Sequence, residues 1–504
     1  MGNFLPYNQA QLMLLPPEIR ELIPEDHLVF GINAVVEGLD LSFIYEKYRN
    51  DEGGRRSYHP KMLLKVLLYA YAIGVRSSRK IAAKLGSDVH FMYLAAMARP
   101  DFRTISDFRK EHIEGLGGLF RQVVLVCMKL GIAKVGHIAI DGTKMRASAG
   151  RRRTKSRKKL TELEEEIERE IRKILEEAER VDEEEDRLYG DKRGDEMPEE
   201  LRDKEVFKEK IKKAVEKLEK EGWKEANTTD PDAKFMKDAD GAIDLSYNTQ
   251  IAVEGESQVI VANDVVQEEN DVHQFKPMYE KVKKVTGKEP EEVSADCGYY
   301  SGEAMLYIEE EEIDAYLPYQ EFKREAREGV PEFDKGRFSY NEEEDTLTCP
   351  TGEKLVFKQN YKQNGIASRI YVGERCQGCG RRVECTRGKA RHVKISDVDR
   401  IREVMMAKLL SEEGRSRYKK RFSTVEPVFG NLKKNLGYRD FLLRGLGKVK
   451  GEFNLMCMAH NLKKIHRYHL SEIEKKREEF RKIFIDLGKR VRESFFRDEI
   501  AVSA

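Results

Sequence analysis

Residues 151–220 carry 46 charged side chains in 70 positions, 22 basic and 24 acidic. The few apolar residues among them return at helical spacing: Leu160, Leu163, Ile167, Ile171 and Ile174, then Phe207, Ile211, Ala214 and Leu218. A segment so charged cannot fill a sheet interior, which needs continuous apolar runs. It can form two amphipathic helices whose narrow apolar stripes pack on each other, an antiparallel hairpin. The stretch VDEEEDRLYGDKRGDEMPEE, residues 181–200, is too polar to pack and reads as the tip or a mobile link. We expect this arm to serve structure or self-association and to interrupt a folded core of different pattern.

With 504 residues, the chain should hold two to four units at roughly 100 to 200 residues per domain. Its formal net charge is +1, so the total argues for no anionic partner and only local charge is informative. Between Arg55 and Lys110 there are 12 Lys or Arg against Asp88, Asp101 and Asp107. The spacing there predicts short helices: 62–73, then RKIAAKL capped by Ser77 or Ser78, then VHFMYLAAM, then ISDFRKEH capped by Thr104. Such a bundle suits helix-turn-helix DNA binding, with Arg79, Lys80 and Arg103 reaching phosphates. The plainer alternative is a helical bundle with solvated lysines. No run approaches the roughly 18 to 20 apolar residues of a membrane span, and the N-terminus lacks the pattern of an export signal, so we expect a cytoplasmic protein.

GHIAID, residues 136–141, reads as a buried strand with Asp141 at its end. From Arg146 to Lys159 follow eight Lys or Arg and no acid, either a phosphate-contacting loop through Arg151, Arg152 and Arg153 or a solvated linker. After Trp223 the period becomes two: 245–256 and 258–269 predict a hairpin, Asn270 or Asp271 caps a helix, and EEVSADC predicts a strand ending at Asp296. A helix at 302–310 and a strand at 315–319 complete an α/β sheet with mixed pairing. A Cys-bearing segment, 325–395, interrupts it, and the chain is helical again from Asp397. Asp141 and Asp296 thus stand at the strand-end edge where open α/β sheets assemble ligand sites, and two carboxylates there suit a hard metal ion. The third acid is Glu426. From Arg415 to Lys450 it stands with Asp440 among 11 Lys or Arg. We expect Ser423 or Thr424 to cap a helix with Pro427 in its first turn, aligning Glu426, Gly430 and Lys433 on one face.

The succession GHIAIDGTKMRA, SADCGYYS and YKKRFSTVEPVFGNLK resembles the bacterial insertion-sequence transposases with an Asp-Asp-Glu catalytic core and a Tyr-Arg-Glu-Lys signature. The N-terminal region, with YHPKMLLKVLLYAYAIGVRSSRKIA and DFRTISDFRKEH, is similar to the N-terminal domain of such enzymes. Glu426 and Lys433 keep the signature's spacing, as do Tyr418 and Arg421, whereas Arg421 and Glu426 are separated by four residues where the pattern has three. The resemblance implies an α/β, ribonuclease H-like mixed sheet interrupted by a helical and a Cys-bearing insertion and preceded by an all-α DNA-binding domain. It implies that Asp141, Asp296 and Glu426 hold two Mg²⁺ ions for phosphodiester cleavage and transfer of 3′ ends to target DNA, and that Lys433 and Arg421 contact end phosphates with Tyr418 placing the strand. A homodimer on double-stranded DNA at the bacterial nucleoid is the expected working form. The rivals are a ribonuclease H-like endonuclease without strand transfer and a domesticated, non-cleaving DNA-binding protein.

Four cysteines, Cys349, Cys376, Cys379 and Cys385, crowd one segment as CPTGEK and CQGCGRRVEC, a candidate zinc site with a single CxxC pair. The alternative is a set of reduced thiols in an insertion clamping DNA through Lys389, Arg391 and Lys394. Cys127, Cys297 and Cys457 lie in apolar contexts and read as core. His273 reads as a capping or packing histidine. The expected organisation is 1–125 for DNA binding, core segments 135–150, 240–322 and 396–470, insertions 151–225 and 323–395, and a helical tail 471–504.

Overall fold

A computed structural model of the protein describes residues 18–48, 57–189, 199–238, 240–320, 322–363 and 366–502. They divide into two units, residues 1–123 with 455–504 and residues 124–454. Arg55, from which the basic count starts, lies outside the described residues.

The first unit is helical: α1 (Leu28–Glu37), α2 (Ser42–Tyr45), α3 (Pro60–Ala72), α4 (Ser78–Lys84), α5 (Val89–Leu94), α6 (Phe102–Glu111) and the start of α7 (Leu116–Lys129). Pro60 opens α3 at a position that needs no N–H, and nearly every later residue of that helix is buried. α6 starts earlier than expected. Asp101, rather than Thr104, is its cap, because the Asp101 carboxylate accepts the free Thr104 N–H at 2.7 Å.

The second unit starts with β1 (His137–Arg146) and β2 (Thr154–Ser156), then the arm α8 (Arg157–Tyr189) and α9 (Glu199–Glu221). The arm closes on Leu160, Ile167, Ile211, Ala214 and Leu218, the stripe read from the spacing. Residues 181–189, expected at a loose tip, continue α8, since Glu and Arg are good helix formers. The rest of that expected tip, 190–198, lies outside the described residues. The chain continues through β3 (Glu225–Asn227), β4 (Lys234–Lys237), β5 (Ile243–Glu254), β6 (Ile260–Val266), α10 (Phe275–Thr286), β7 (Glu292–Ser294), α11 (Gly302–Glu310) and β8 (Ala315–Tyr316). The main sheet is mixed. β5 pairs antiparallel with β4 and β6 and, along its other edge, with β1, while β1, β7 and β8 run parallel.

After α12 (Phe322–Glu328), the Cys-bearing segment forms a second sheet. Its strands β9 (Ser339–Asn341), β10 (Thr346–Thr348), β11 (Lys354–Gln363), β12 (Ile366–Gly373) and β13 (His392–Ile395) lie antiparallel in chain order, with α13 (Arg382–Cys385) between the last two. The chain then runs through α14 (Asp397–Leu410), α15 (Glu412–Gly430), a π-turn at Asn431–Asn435 and α16 (Leu446–Val502).

Two local differences matter for the site. β1 does not stop at Asp141, because β5 keeps pairing with it as far as Arg146. α15 does not begin near Ser423. Pro427 lies inside it, and the Ser423 carbonyl that proline cannot serve accepts instead from Gln258 Nε2 at 2.9 Å, so the helix runs through. Thr424 Oγ1 donates back to the Lys420 carbonyl at 2.8 Å instead of capping.

Because the arm has its own core, Ile211→Ala should cost it about 2 to 5 kcal/mol of local stability. Hydrogen exchange would then show faster exchange along α8 and α9 with β1, β5 and β7 unchanged.

Candidate active site

β1 pairs with β7 as Ala139 beside Ser294, and one residue then separates each from its aspartate, Asp141 within β1 and Asp296 just past the end of β7. Asp141 and Asp296 therefore stand beside each other. Side by side they repel, and α15 answers with a cation. Arg421, buried, sets Nη2 3.1 Å from Asp141 Oδ1 and 3.7 Å from Asp296 Oδ2. Each carboxylate is also held locally: Asp141 Oδ1 accepts from the Gly142 N–H at 2.9 Å and Asp296 Oδ1 from the Gly298 N–H at 2.8 Å.

A third carboxylate joins them that the sequence reading missed. Asp271, expected to cap a helix, does not; α10 starts at Phe275 and its N-cap is Gln274. Asp271 Oδ1 instead accepts from Asn248 Nδ2 at 2.7 Å and Gln250 Nε2 at 2.6 Å, and the Tyr299 hydroxyl donates to Gln250 Oε1. The carboxylate lies against the main chain beside Asp141. A Cβ on Gly142 would fall 2.5 Å from Gln250 Nε2 and 2.8 Å from Asp271 Oδ1, so only glycine fits there. The signal in the sequence was the pair Asn248 and Gln250, amides at alternate positions of β5 and so on one face of the sheet.

The electrostatics follow from burial. Desolvation pushes the Asp141 carboxyl up to about 6; Arg421 works against that rise, and Asp296 and Asp271 add to it. Arg421 resists the desolvation that disfavours its charge because Asp141 and Asp296 hold it protonated. Its Nε is buried without a hydrogen-bond partner among the described residues. Burial raises the Tyr418 hydroxyl to about 12, and its ring packs edge-on to Phe422 at 5.9 Å.

Glu426 shares α15 with Arg421 but is exposed, five residues on and turned away from the aspartates. Lys433, half-buried in the π-turn, reaches β1: its ammonium bonds Thr143 Oγ1 and the Lys144 carbonyl, the latter at 3.1 Å. Thus Arg421 meets Asp141 and Asp296 and Lys433 meets β1, whereas Glu426 lies on the open side of the helix. Among the described residues no three His, Cys, Asp or Glu side chains are grouped tightly enough to hold a metal ion. The oxygen-only donors Asp141 and Asp296, with a carboxyl reluctant to ionise in the absence of a further cation, are nevertheless chemically suited to a hard divalent ion.

The other expected contacts are dispersed. Arg151, Arg152 and Arg153 form an exposed turn in which Arg151 pairs with Asp244 at 2.8 Å and Arg153 reaches Thr229 Oγ1 at 3.4 Å. In the helical unit, Arg79, Lys80 and Arg103 are exposed, and the guanidiniums of Arg79 and Arg103 lie 5.0 and 5.8 Å from the Phe102 ring centre. Cys349, Cys376, Cys379 and Cys385 line one small cavity of the second sheet. Arg391, expected to help clamp DNA, is tied inward to the Cys385 and Phe333 carbonyls at 3.1 and 3.0 Å. His273 is exposed and faces Glu303 at 3.4 Å.

Residues 17–111 match the family model of a transposase domain (DUF772), and residues 348–466 match that of a transposase DDE domain. Together the two matches indicate an insertion-sequence DDE transposase. The second match includes Arg421, Glu426 and Lys433 and stops short of Asp141 and Asp296. No curated protein and no solved structure matches the chain. Among the described residues no helix is long and apolar enough to cross a membrane.

The raised Asp141 carboxyl has a defined consequence for stability. Folding favours its protonated form, so the parent should lose stability as pH rises from the unfolded value near 4 through about 6. Asp141→Asn stays neutral throughout. Its stability relative to the parent should therefore rise by an amount on the order of 3 kcal/mol between pH 4 and pH 7, read from paired denaturant titrations; a pH-independent difference would contradict the burial argument.

Proposed function

We propose that the chain binds the terminal inverted repeats of its own mobile element, cleaves the phosphodiester at each end and joins the freed 3′ ends to target DNA. The observation that carries this reading is the placement of Asp141 in β1 beside Asp296 just past the end of parallel β7, both facing Arg421 of the helix that also bears Glu426. The strand order β6-β5-β1-β7-β8, antiparallel on one side of β1 and parallel on the other, supports a ribonuclease H-like assignment for the sheet.

In this reading Asp141, Asp296 and Glu426 hold two Mg²⁺ ions. When bound, the ions supply an activated oxygen nucleophile and stabilisation of the leaving oxygen. Glu426 directly precedes two irregularities at which its helix can bend, Pro427 and the π-turn. Asp271, fixed by Asn248 and Gln250, keeps the main chain beside Asp141 in place. Arg421 balances the two aspartates in the free protein, and its guanidinium is the group the signature assigns to an end phosphate. Lys433 adds a second cation beside β1, and Tyr418 packs the strand-facing side of α15. Arg151, Arg152 and Arg153, and in the helical unit Arg79, Lys80 and Arg103, contribute sequence-independent phosphate contacts. Two copies bring the two ends together, with the arm 155–225 as their contact; deleting it should lower the DNA-bound mass to that of one chain.

The test is cleavage and joining on a supercoiled plasmid carrying both ends, with Mg²⁺. The parent should cut and join, and Asp141→Ala, Asp296→Ala and Glu426→Ala should each bind ends yet do neither. Normal cutting by the variants would place the chemistry elsewhere, and cutting without joining would make the protein an endonuclease. Lys433→Ala should weaken end binding and lower its salt slope by about one.

A further inference from the structure

The four thiols of the second sheet take no part in DNA cleavage or joining as proposed. Cys349 opens the turn between β10 and β11, Cys376 and Cys379 bracket a turn after β12, and Cys385 ends α13. Separate stretches of chain thereby bring four sulfurs to one cavity of about 20 Å³, room for about one water-sized sphere.

Two features of that cavity point to a ligand. The first is hydrogen bonding to sulfur: the Glu353 N–H donates to Cys349 Sγ at 3.3 Å and the Arg391 N–H to Cys376 Sγ at 3.4 Å. Main-chain N–H groups thus fix two of the four sulfurs at the cavity wall. The turn geometry supplies the first of them, since the Gly352 N–H closes on the Cys349 carbonyl at 2.9 Å and leaves the next N–H facing the sulfur. The second is close approach. A Cβ on Gly373 would fall 2.4 Å from Cys376 Sγ, so the main chain passes directly over that sulfur.

The sheet also needs a staple. Its buried core consists of Phe338, Leu347, Leu355, Tyr371 and Val393, with Cys349 and Cys385 packed at its side, a small core for five strands.

We propose that Cys349, Cys376, Cys379 and Cys385 bind one Zn²⁺ ion as a closed, structural tetrathiolate site. Four sulfur ligands leave no open coordination position, so the ion holds the β10–β11 turn to the segment after β12 and does no catalysis. The sulfurs surround the cavity without converging on a common point. Binding therefore pulls two turns together and couples metal to folding.

The experiment uses the full chain, purified under reducing conditions and dialysed against a weak chelator. Elemental analysis should find about one zinc per chain. Exchange into Co²⁺ should give the absorption bands of tetrahedral cobalt with sulfur-to-metal charge transfer. The double variant Cys376→Ser/Cys379→Ser should lose both signals, and Asp141→Ala should keep both, which separates this site from the acidic one. A metal-free parent, iron in place of zinc, or zinc retained by the double variant would overturn the proposal. Should the double variant fail to fold, the cobalt spectrum of the parent decides alone: absence of sulfur-to-cobalt charge transfer rejects the site.

Discussion

Two carboxylates, Asp141 in β1 and Asp296 just past the end of its parallel neighbour β7, repel each other, and the Arg421 guanidinium is what lets the sheet keep them there. The arrangement is not optimised for stability. A buried ion pair recovers its desolvation cost only when every polar atom is satisfied, and Arg421 leaves its Nε without a partner among the described residues while Asp141 is driven toward its protonated form. Charge that is imperfectly balanced in the free protein is what an anionic strand or a cation could complete.

The position of Arg421 depends in turn on a helix that should have been broken. Pro427 removes one backbone hydrogen bond from α15, and Gln258, 165 residues away, replaces it. One turn later the helix widens into a π-turn, which lets Lys433 reach β1 while Glu426 remains on the open side. Proline and π-turns are costly in a helix interior, and their concentration next to three signature residues fits a segment selected for placement of side chains more than for helical regularity.

What was legible in the sequence was local. Apolar runs ending in Asp141 and Asp296, the stripe of Leu160 to Leu218 and the helix Gly302–Glu310 all follow from periodicity, because neighbouring residues decide them. What was not legible depends on distant partners. β1 passes Asp141 because β5 continues beside it, and α15 passes Pro427 because Gln258 serves its carbonyl. Asp271 gives up a cap to meet Asn248 and Gln250 against Gly142, a contact between residues more than twenty positions apart. The five-stranded sheet of residues 339–395 is not legible because β9 and β10 have three residues each and β12 lacks a strict alternation of buried and exposed positions.

The central claim is that Glu426 works with Asp141 and Asp296 although it stands apart from them in the free chain. Mn²⁺ is a paramagnetic stand-in for Mg²⁺, and its binding to the protein on end DNA can be followed by electron paramagnetic resonance. The account predicts that the parent binds Mn²⁺ and that Asp141→Asn and Glu426→Gln each weaken binding by about tenfold or more. Parent-like Mn²⁺ binding by Glu426→Gln would contradict it and leave the aspartates with a different third partner.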